Sequence, residues 1–188
     1  MKVLLLNGSP RQAGCTYTAV CEVAKALHEC GADTEIFQAG DPSRDNVRAA
    51  AELMKTADGL VVGSPVYWAS PSGQIIEFMD QFCSMAGRDM LYKPAASVAS
   101  ARRAGTTATL DVLNKYFLYH QMPVVSSQYW PMVHGNTPDE VRQDEEGLQI
   151  MRTLGRNMAW LLKSIEAGRQ AGIRLPEQEK RIGTNFIR

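Results

Sequence analysis

The sequence predicts an α/β fold, an open parallel sheet of five strands with helices on both faces. Three observations carry this. Strand and helix patterns alternate through five successive units. The strands at residues 2–6 and 59–63 are continuous apolar runs, as strands covered on both faces are. Loops rich in glycine, proline and hydroxyls follow the first, third and fourth strands.

Lys2-Val3-Leu4-Leu5-Leu6 forms the first strand and breaks into Asn7-Gly8-Ser9-Pro10-Arg11, then Gly14-Cys15-Thr16. A helix runs from about Thr16 to Glu29, with Val20, Val23, Ala24 and Leu27 at helical spacing and Gly31 as its stop. The second strand covers 33–38. After Gly40-Asp41-Pro42-Ser43, with Ser43 or Asp45 as cap, a helix ends near Thr56. The third strand, 59–63, ends at Ser64-Pro65. Residues 72–85 repeat a helical pattern through Ile75, Ile76, Phe78, Met79 and Phe82. Residues 94–100 form the fourth strand, 107–120 a helix and 123–127 the fifth strand. A long helix over 142–166 places Leu148, Met151, Leu154, Met158, Leu161 and Leu162 on one stripe. No internal repeat or low-complexity linker interrupts the series. A single domain is expected over 1–168, with 169–188 a C-terminal arm or tail; Phe186 and Ile187, near its end, favour docking on another subunit.

Charge is balanced, 20 Lys+Arg against 20 Asp+Glu, so no global field argues for nucleic acid or an anionic membrane. The apolar runs are too short to span a bilayer, and Met1 leads straight into a strand. A cytoplasmic location is expected. Cys15, Cys21, Cys30 and Cys83 lack the paired spacing of a zinc or iron–sulfur site and read as free thiols. His28 and His120 lie near helix ends, and His134 has no second ligand at metal spacing, so no metal is expected.

In a doubly wound sheet, ligands bind outside the carboxyl ends of the strands. Three loops leave those ends. Residues 7–16 present backbone N–H groups, hydroxyls and the positive end of a helix dipole to one spot, which suits a phosphate. The loop has neither the Gly-x-Gly-x-x-Gly fingerprint nor a Walker motif. Residues 64–72 set Tyr67 and Trp68 between prolines, and 100–107 carry Arg102 and Arg103 among hydroxyls. Together they suit a planar, electron-accepting ring bearing a ribityl phosphate.

The chain resembles the flavodoxin-like NADPH-dependent FMN reductases, with the iron–sulfur flavoproteins and small quinone reductases among their relatives. The likeness rests on Asn7-Gly8-Ser9-Pro10-Arg11, Gly14-Cys15-Thr16, Ala57-Asp58-Gly59, Gly63-Ser64-Pro65-Val66-Tyr67-Trp68 and Asp80. Arg102-Arg103-Ala104-Gly105-Thr106, Tyr129-Trp130 and His134-Gly135 extend it to about Lys163. The resemblance implies a three-layer sandwich with strand order 2-1-3-4-5 and FMN at the switch point between strands one and three. It implies that Ser9, Arg11, Gly14, Cys15 and Thr16 hold the phosphate. Pro65, Val66, Tyr67 and Trp68 would border the ribityl chain and ring, and Ala101, Arg102, Arg103, Gly105 and Thr106 would meet the ring's polar edge. Trp130 and His134 would border the substrate pocket.

The implied activity takes electrons from NADPH or NADH to a small-molecule acceptor such as a quinone or flavin, in a homodimer or homotetramer. A flavodoxin-like electron carrier and a cofactor-free binding module are the alternatives. Hydride and one-electron chemistry belong to the flavin, so no catalytic acid–base or nucleophile constellation is required, and none is visible. Relatives usually carry Asn where this chain has Cys15, and many carry a basic residue at the positions of Ile76 and Gln81. Residues 39–47 lack the clustered cysteines of the iron–sulfur flavoproteins, so flavin alone is expected.

Overall fold

The computed structural model describes residues 1–180 and 182–184; Phe186 and Ile187 of the expected docking arm lie outside the described residues. The elements are β1 (Lys2–Asn7), α1 (Cys15–Glu29), β2 (Asp33–Gln38), α2 (Arg44–Thr56), β3 (Gly59–Tyr67), β4 (Ser70–Pro71) and α3 (Gly73–Met90). Then follow β5 (Ala95–Ala101), α4 (Thr106–Tyr119), β6 (Met132–His134), α5 (Pro138–Gln143) and α6 (Glu145–Gln170). The parallel strands stand in the order β2-β1-β3-β5-β6, and β4 pairs antiparallel with β3. Leaving β4 aside, this is the expected 2-1-3-4-5 order.

Strand alternation sorts the core into two layers. Val3, Leu5 and Val61 face α1 and α6 and pack with Val23, Leu27, Leu154 and Met158. Leu4, Leu6, Leu60 and Val62 face α2, α3 and α4 and pack with Met54, Phe78, Phe82 and Phe117. Both faces of β1 are therefore buried, which is why its sequence is continuously apolar. Each of its leucines contributes roughly 2 kcal/mol. Gly31, at φ +81°, turns the chain after α1 into β2.

Three expectations need correction. First, β3 does not end at Gly63. It continues to Tyr67, turns through Trp68 and Ala69 (φ +53° and +58°), and returns as β4. Positive φ at both central residues is what a tight type I′ hairpin requires, and Trp-Ala carries none of its usual Asn-Gly signal. Second, residues 123–127 are not the edge strand. Val124 makes one bridge to Ala95, and pairing resumes only at Met132 opposite Ala99. The intervening chain leaves the sheet because α6 satisfies it: Ser127 Oγ donates to the Ile150 carbonyl at 2.7 Å, and Asn157 Nδ2 donates to that of Ser126 at 2.8 Å. Third, the final helix is two helices. The Asp144 side chain accepts from Gly147 N at 2.9 Å, starting α6 just after α5 ends.

Candidate functional site

The carboxyl ends of β1, β3 and β5 open on one edge, and short contacts bind their loops together. Gly8 N donates to the Gly63 carbonyl at 2.8 Å, and Ser72 Oγ donates to that of Gly8 at 3.0 Å. Ser64 Oγ accepts from Ser72 N at 3.1 Å, tying the base of the hairpin to the start of α3. Gly105, at φ +97°, lies against the hairpin: a Cβ there would stand 2.6 Å from Ala69 Cα and 2.7 Å from Val66 Cγ1. The first, second and third loops thus form one continuous rim.

Within the first loop the polar groups are set for an anion. Asn7 is wholly buried. Its Nδ2 donates to Gln38 Oε1 at 2.7 Å, to the Gln12 carbonyl at 3.2 Å and to the Arg11 carbonyl at 3.4 Å. Ser9 Oγ accepts from Arg11 N at 3.1 Å, which leaves its own proton available. The first intrahelical bond of α1 runs from Thr18 N to the Gly14 carbonyl, so the N–H groups of Cys15, Thr16 and Tyr17 have no helix acceptor. No side chain caps α1, and no acidic residue stands in its first turn. The helices α3, α5 and α6 are capped by Ser72, Thr137 and Asp144. By contrast α4, which begins at Gly105 on the same rim, has neither a side-chain cap nor an acidic first turn. Two bare positive helix ends therefore point into one rim, a donor set that fits a phosphate and an electron-rich ring edge.

The other expected residues divide by place. Pro65 is buried and Val66 half-buried within β3, and Val66 packs against Ala99, Leu110 and Met132. Tyr67 and Trp68 project from the hairpin; Trp68 is fully exposed. Ala101 ends β5, and Arg102 and Arg103 stand exposed between it and Gly105. The buried Thr106 hydroxyl donates to Met132 Sδ at 3.2 Å. Cys15 Sγ donates to the Gly135 carbonyl at 3.7 Å, and burial pushes its thiol up from the ordinary 9.0. The Cys15 thiol is thus packed against Gly135 and held in its protonated form.

His134 pairs with Ala101 in the sheet and so reaches the rim. Asp144 Oδ2 accepts from the His134 backbone N at 2.6 Å and lies 3.9 Å from its ring Nδ1. Trp130 does not join it. It lines a cleft of ≈ 350 Å³ along the sheet edge with Tyr129, Ser97 and Asn114. A larger cleft of ≈ 670 Å³ between α3 and α4, lined by Asp80, Cys83, Tyr116 and His120, also lies apart from the three loops. Gln81 Nε2 donates to the Pro42 carbonyl at 2.9 Å, so it buttresses the loop after β2. Sequence reasoning missed Gln38 and Asp144 and placed Ser72 and Ser100 only as members of the second and third loops; the bonds these residues make arise from register and packing. Among the described residues, no group of His, Cys, Asp and Glu side chains is arranged to hold a metal ion. None of the described helices is long and apolar enough to cross a membrane.

Comparison with known proteins identifies the family and the fold. The model of the NADPH-dependent FMN reductase family matches residues 1–137. An iron–sulfur flavoprotein of Methanocaldococcus jannaschii is 31% identical over 88% of this chain and 100% of its own. An NADPH azoreductase of a Bacillus species is 27% identical over 61% of this chain and 65% of its own. Among solved structures, a flavodoxin-type, WrbA-like protein from Agrobacterium tumefaciens shares the fold with a TM-score of 0.67. It is 20% identical, with 87% of this chain and 97% of that one covered.

Proposed function

The chain belongs to the NADPH-dependent FMN reductase family and is a flavin oxidoreductase working with FMN and a reduced nicotinamide; from that premise we propose that it delivers electrons directly to a small acceptor, a quinone, a flavin or a similar molecule. The observation that carries this reading is the joined rim, with the uncapped end of α1 on one side and that of α4 on the other.

In this reading the phosphate of FMN is held by the free N–H groups at Cys15 and Thr16 and by the Ser9 hydroxyl, with the bare backbone of Gly14 allowing close approach. Arg11 adds exposed positive charge beside them. Tyr67 and Trp68 form an aromatic wall, with Pro65 and Val66 as its rigid base. Ala101, Gly105 and Thr106 line the polar edge, where Arg102, Arg103 and the α4 dipole favour negative charge. When bound, FMN supplies the hydride and one-electron chemistry; the protein supplies position and electrostatics. His134 borders the acceptor space, and Trp130, on the sheet edge, stands outside it.

We further propose that the site works without an iron–sulfur cluster. Clusters are held by convergent thiolates, whereas here Cys15 and Cys21 sit on α1, Cys30 just past its end and Cys83 on α3. The open hairpin tip and a balanced charge of 20 against 20 favour an enzyme meeting small molecules over a carrier steered by charge. Anaerobic titration of the FMN-loaded protein with NADPH and with NADH tests this. Rapid loss of the flavin's visible absorbance, followed by its return on adding a quinone, is the expected result. A flavin that neither nicotinamide reduces would make the protein a carrier instead.

A further inference from the structure

Gln38 ends β2, pairs in register with Asn7 at the end of β1, and touches none of the surfaces assigned above to the flavin ring. Its side chain nevertheless governs the first loop. Gln38 Oε1 accepts from Asn7 Nδ2 at 2.7 Å, while Gln38 Nε2 donates to the Ser9 carbonyl at 2.5 Å. The two bonds use both ends of one amide, so they fix the orientation of Asn7 and the first turn of the loop together. The oriented Asn7 Nδ2 then holds the Arg11 and Gln12 carbonyls inward, and Asn7 Oδ1 accepts from Ser9 N at 3.3 Å.

The consequence follows from peptide geometry. In a trans peptide the C=O and the next N–H point in opposite directions. Carbonyls of Arg11 and Gln12 drawn inward therefore aim the N–H groups of Gln12 and Ala13 outward, beside the bare N-terminus of α1. The base of this arrangement is itself fixed. Asn46 Nδ2 donates to the Gln38 carbonyl at 3.0 Å and to that of Asp41 at 2.8 Å, and a Cβ on Gly40 would overlap the Ser9 carbonyl.

We propose that Gln38 is a positioning residue that sets the preference of the site for a phosphorylated flavin over the bare ribityl form. The inference rests on the flavin reading and sharpens it: Gln38 acts on the phosphate half alone, through Asn7 and Ser9. The ring half is built on β3, β4, β5 and α4, none of which Gln38 bonds.

Dissociation constants of FMN and riboflavin, read from quenching of flavin fluorescence by the apoprotein, provide the test. In Gln38→Ala, FMN binding should weaken roughly tenfold, the scale of one or two lost hydrogen bonds. Riboflavin binding should stay within about twofold, so the ratio of the two constants falls. Gln38→Met keeps the length and loses both bonds; it should match Gln38→Ala, and it serves as the readout should the alanine variant fail to fold. Equal weakening of both ligands would make Gln38 a structural residue and overturn the proposal. So would an unchanged ratio in Gln38→Met. A wild-type protein that binds neither flavin would instead overturn the flavin reading beneath it.

Discussion

The hydroxyls of Thr16 and Ser100 meet at 2.7 Å, joining the first turn of α1 to the carboxyl end of β5. Both side chains are buried, at 1% and 3% exposure, and they come from the first and third of the loops that build the rim. The pair uses one of the two hydroxyl protons, and either oxygen can be the acceptor. Thr16→Val would strand the Ser100 hydroxyl in the core and should cost about 1–2 kcal/mol, the penalty of a buried polar group without a partner. Adding Ser100→Ala should recover part of that loss. Urea unfolding of the two apoproteins checks the order, and a double variant weaker than the single would refute it.

Gly105 is required twice over, for its φ of +97° and for its contact with Ala69. Gly105→Ala combines a strained backbone with a Cβ placed 2.6 Å from Ala69 Cα. The hairpin must lift or the α4 start must shift, at a cost of about 1–3 kcal/mol. A lowered melting temperature together with weaker FMN binding is expected. Unchanged FMN binding in a destabilised protein would separate the hairpin from the ring site.

The register explains what the sequence could and could not disclose. Lys2-Val3-Leu4-Leu5-Leu6 and Gly59 to Gly63 were legible because a strand buried on both faces must be apolar throughout. The first loop was legible because Gly14 and the hydroxyls around it suit a bare helix end. The hairpin was not, since Trp68 and Ala69 sit at positive φ against their own preference. The fifth strand, expected at 123–127, is displaced for a different reason. Val124 does begin the edge pairing, and only the partners offered by α6 draw the following chain away. Gln38 was invisible because a glutamine ending a strand looks like any solvated edge until Asn7 is placed beside it.

Cys83 should shape the alkaline limit of stability. Burial, followed by the nearby Asp80 charge, pushes its thiol from 9.0 up to about 12. Below pH 9 the thiol is protonated in both states. Above that, the unfolded chain ionises first, so stability falls by up to about 1.4 kcal/mol per pH unit until the native thiol follows. Burial and the bond to Asp80 raise Tyr116 in the same direction from 10.0. Unfolding free energies measured from pH 8 to pH 11 should decline less steeply in Cys83→Ala than in the parent. Parallel slopes would exclude the thiol as a cause.

The arm after α6 carries Ile173, Leu175 and Ile182, all well exposed, and is held to the body where Gln178 bonds Gln121 at 3.0 Å and also Tyr92. A second copy of the chain is the proposed cover for these apolar groups. Deleting residues 173–188 should leave the melting temperature of the monomeric body nearly unchanged, because all the removed side chains that are described are exposed. The elution volume should shift toward a smaller species. An identical elution volume would remove the arm from assembly.

Arg103 offers the most direct probe of the rim's electrostatics. It stands exposed beside Gly105, where the third loop meets the bare end of α4. Positive charge there favours the negative charge that reduction adds to the flavin, so Arg103→Ala should lower the midpoint potential. Screening limits an exposed charge to about 0.2–1 kcal/mol. For a two-electron couple this corresponds to a shift of about 5–20 mV. The shift should shrink at high salt, as an exposed charge requires. A potential unchanged at low salt, with FMN still bound, would assign the stabilisation to the helix dipole and the backbone of residues 101–106.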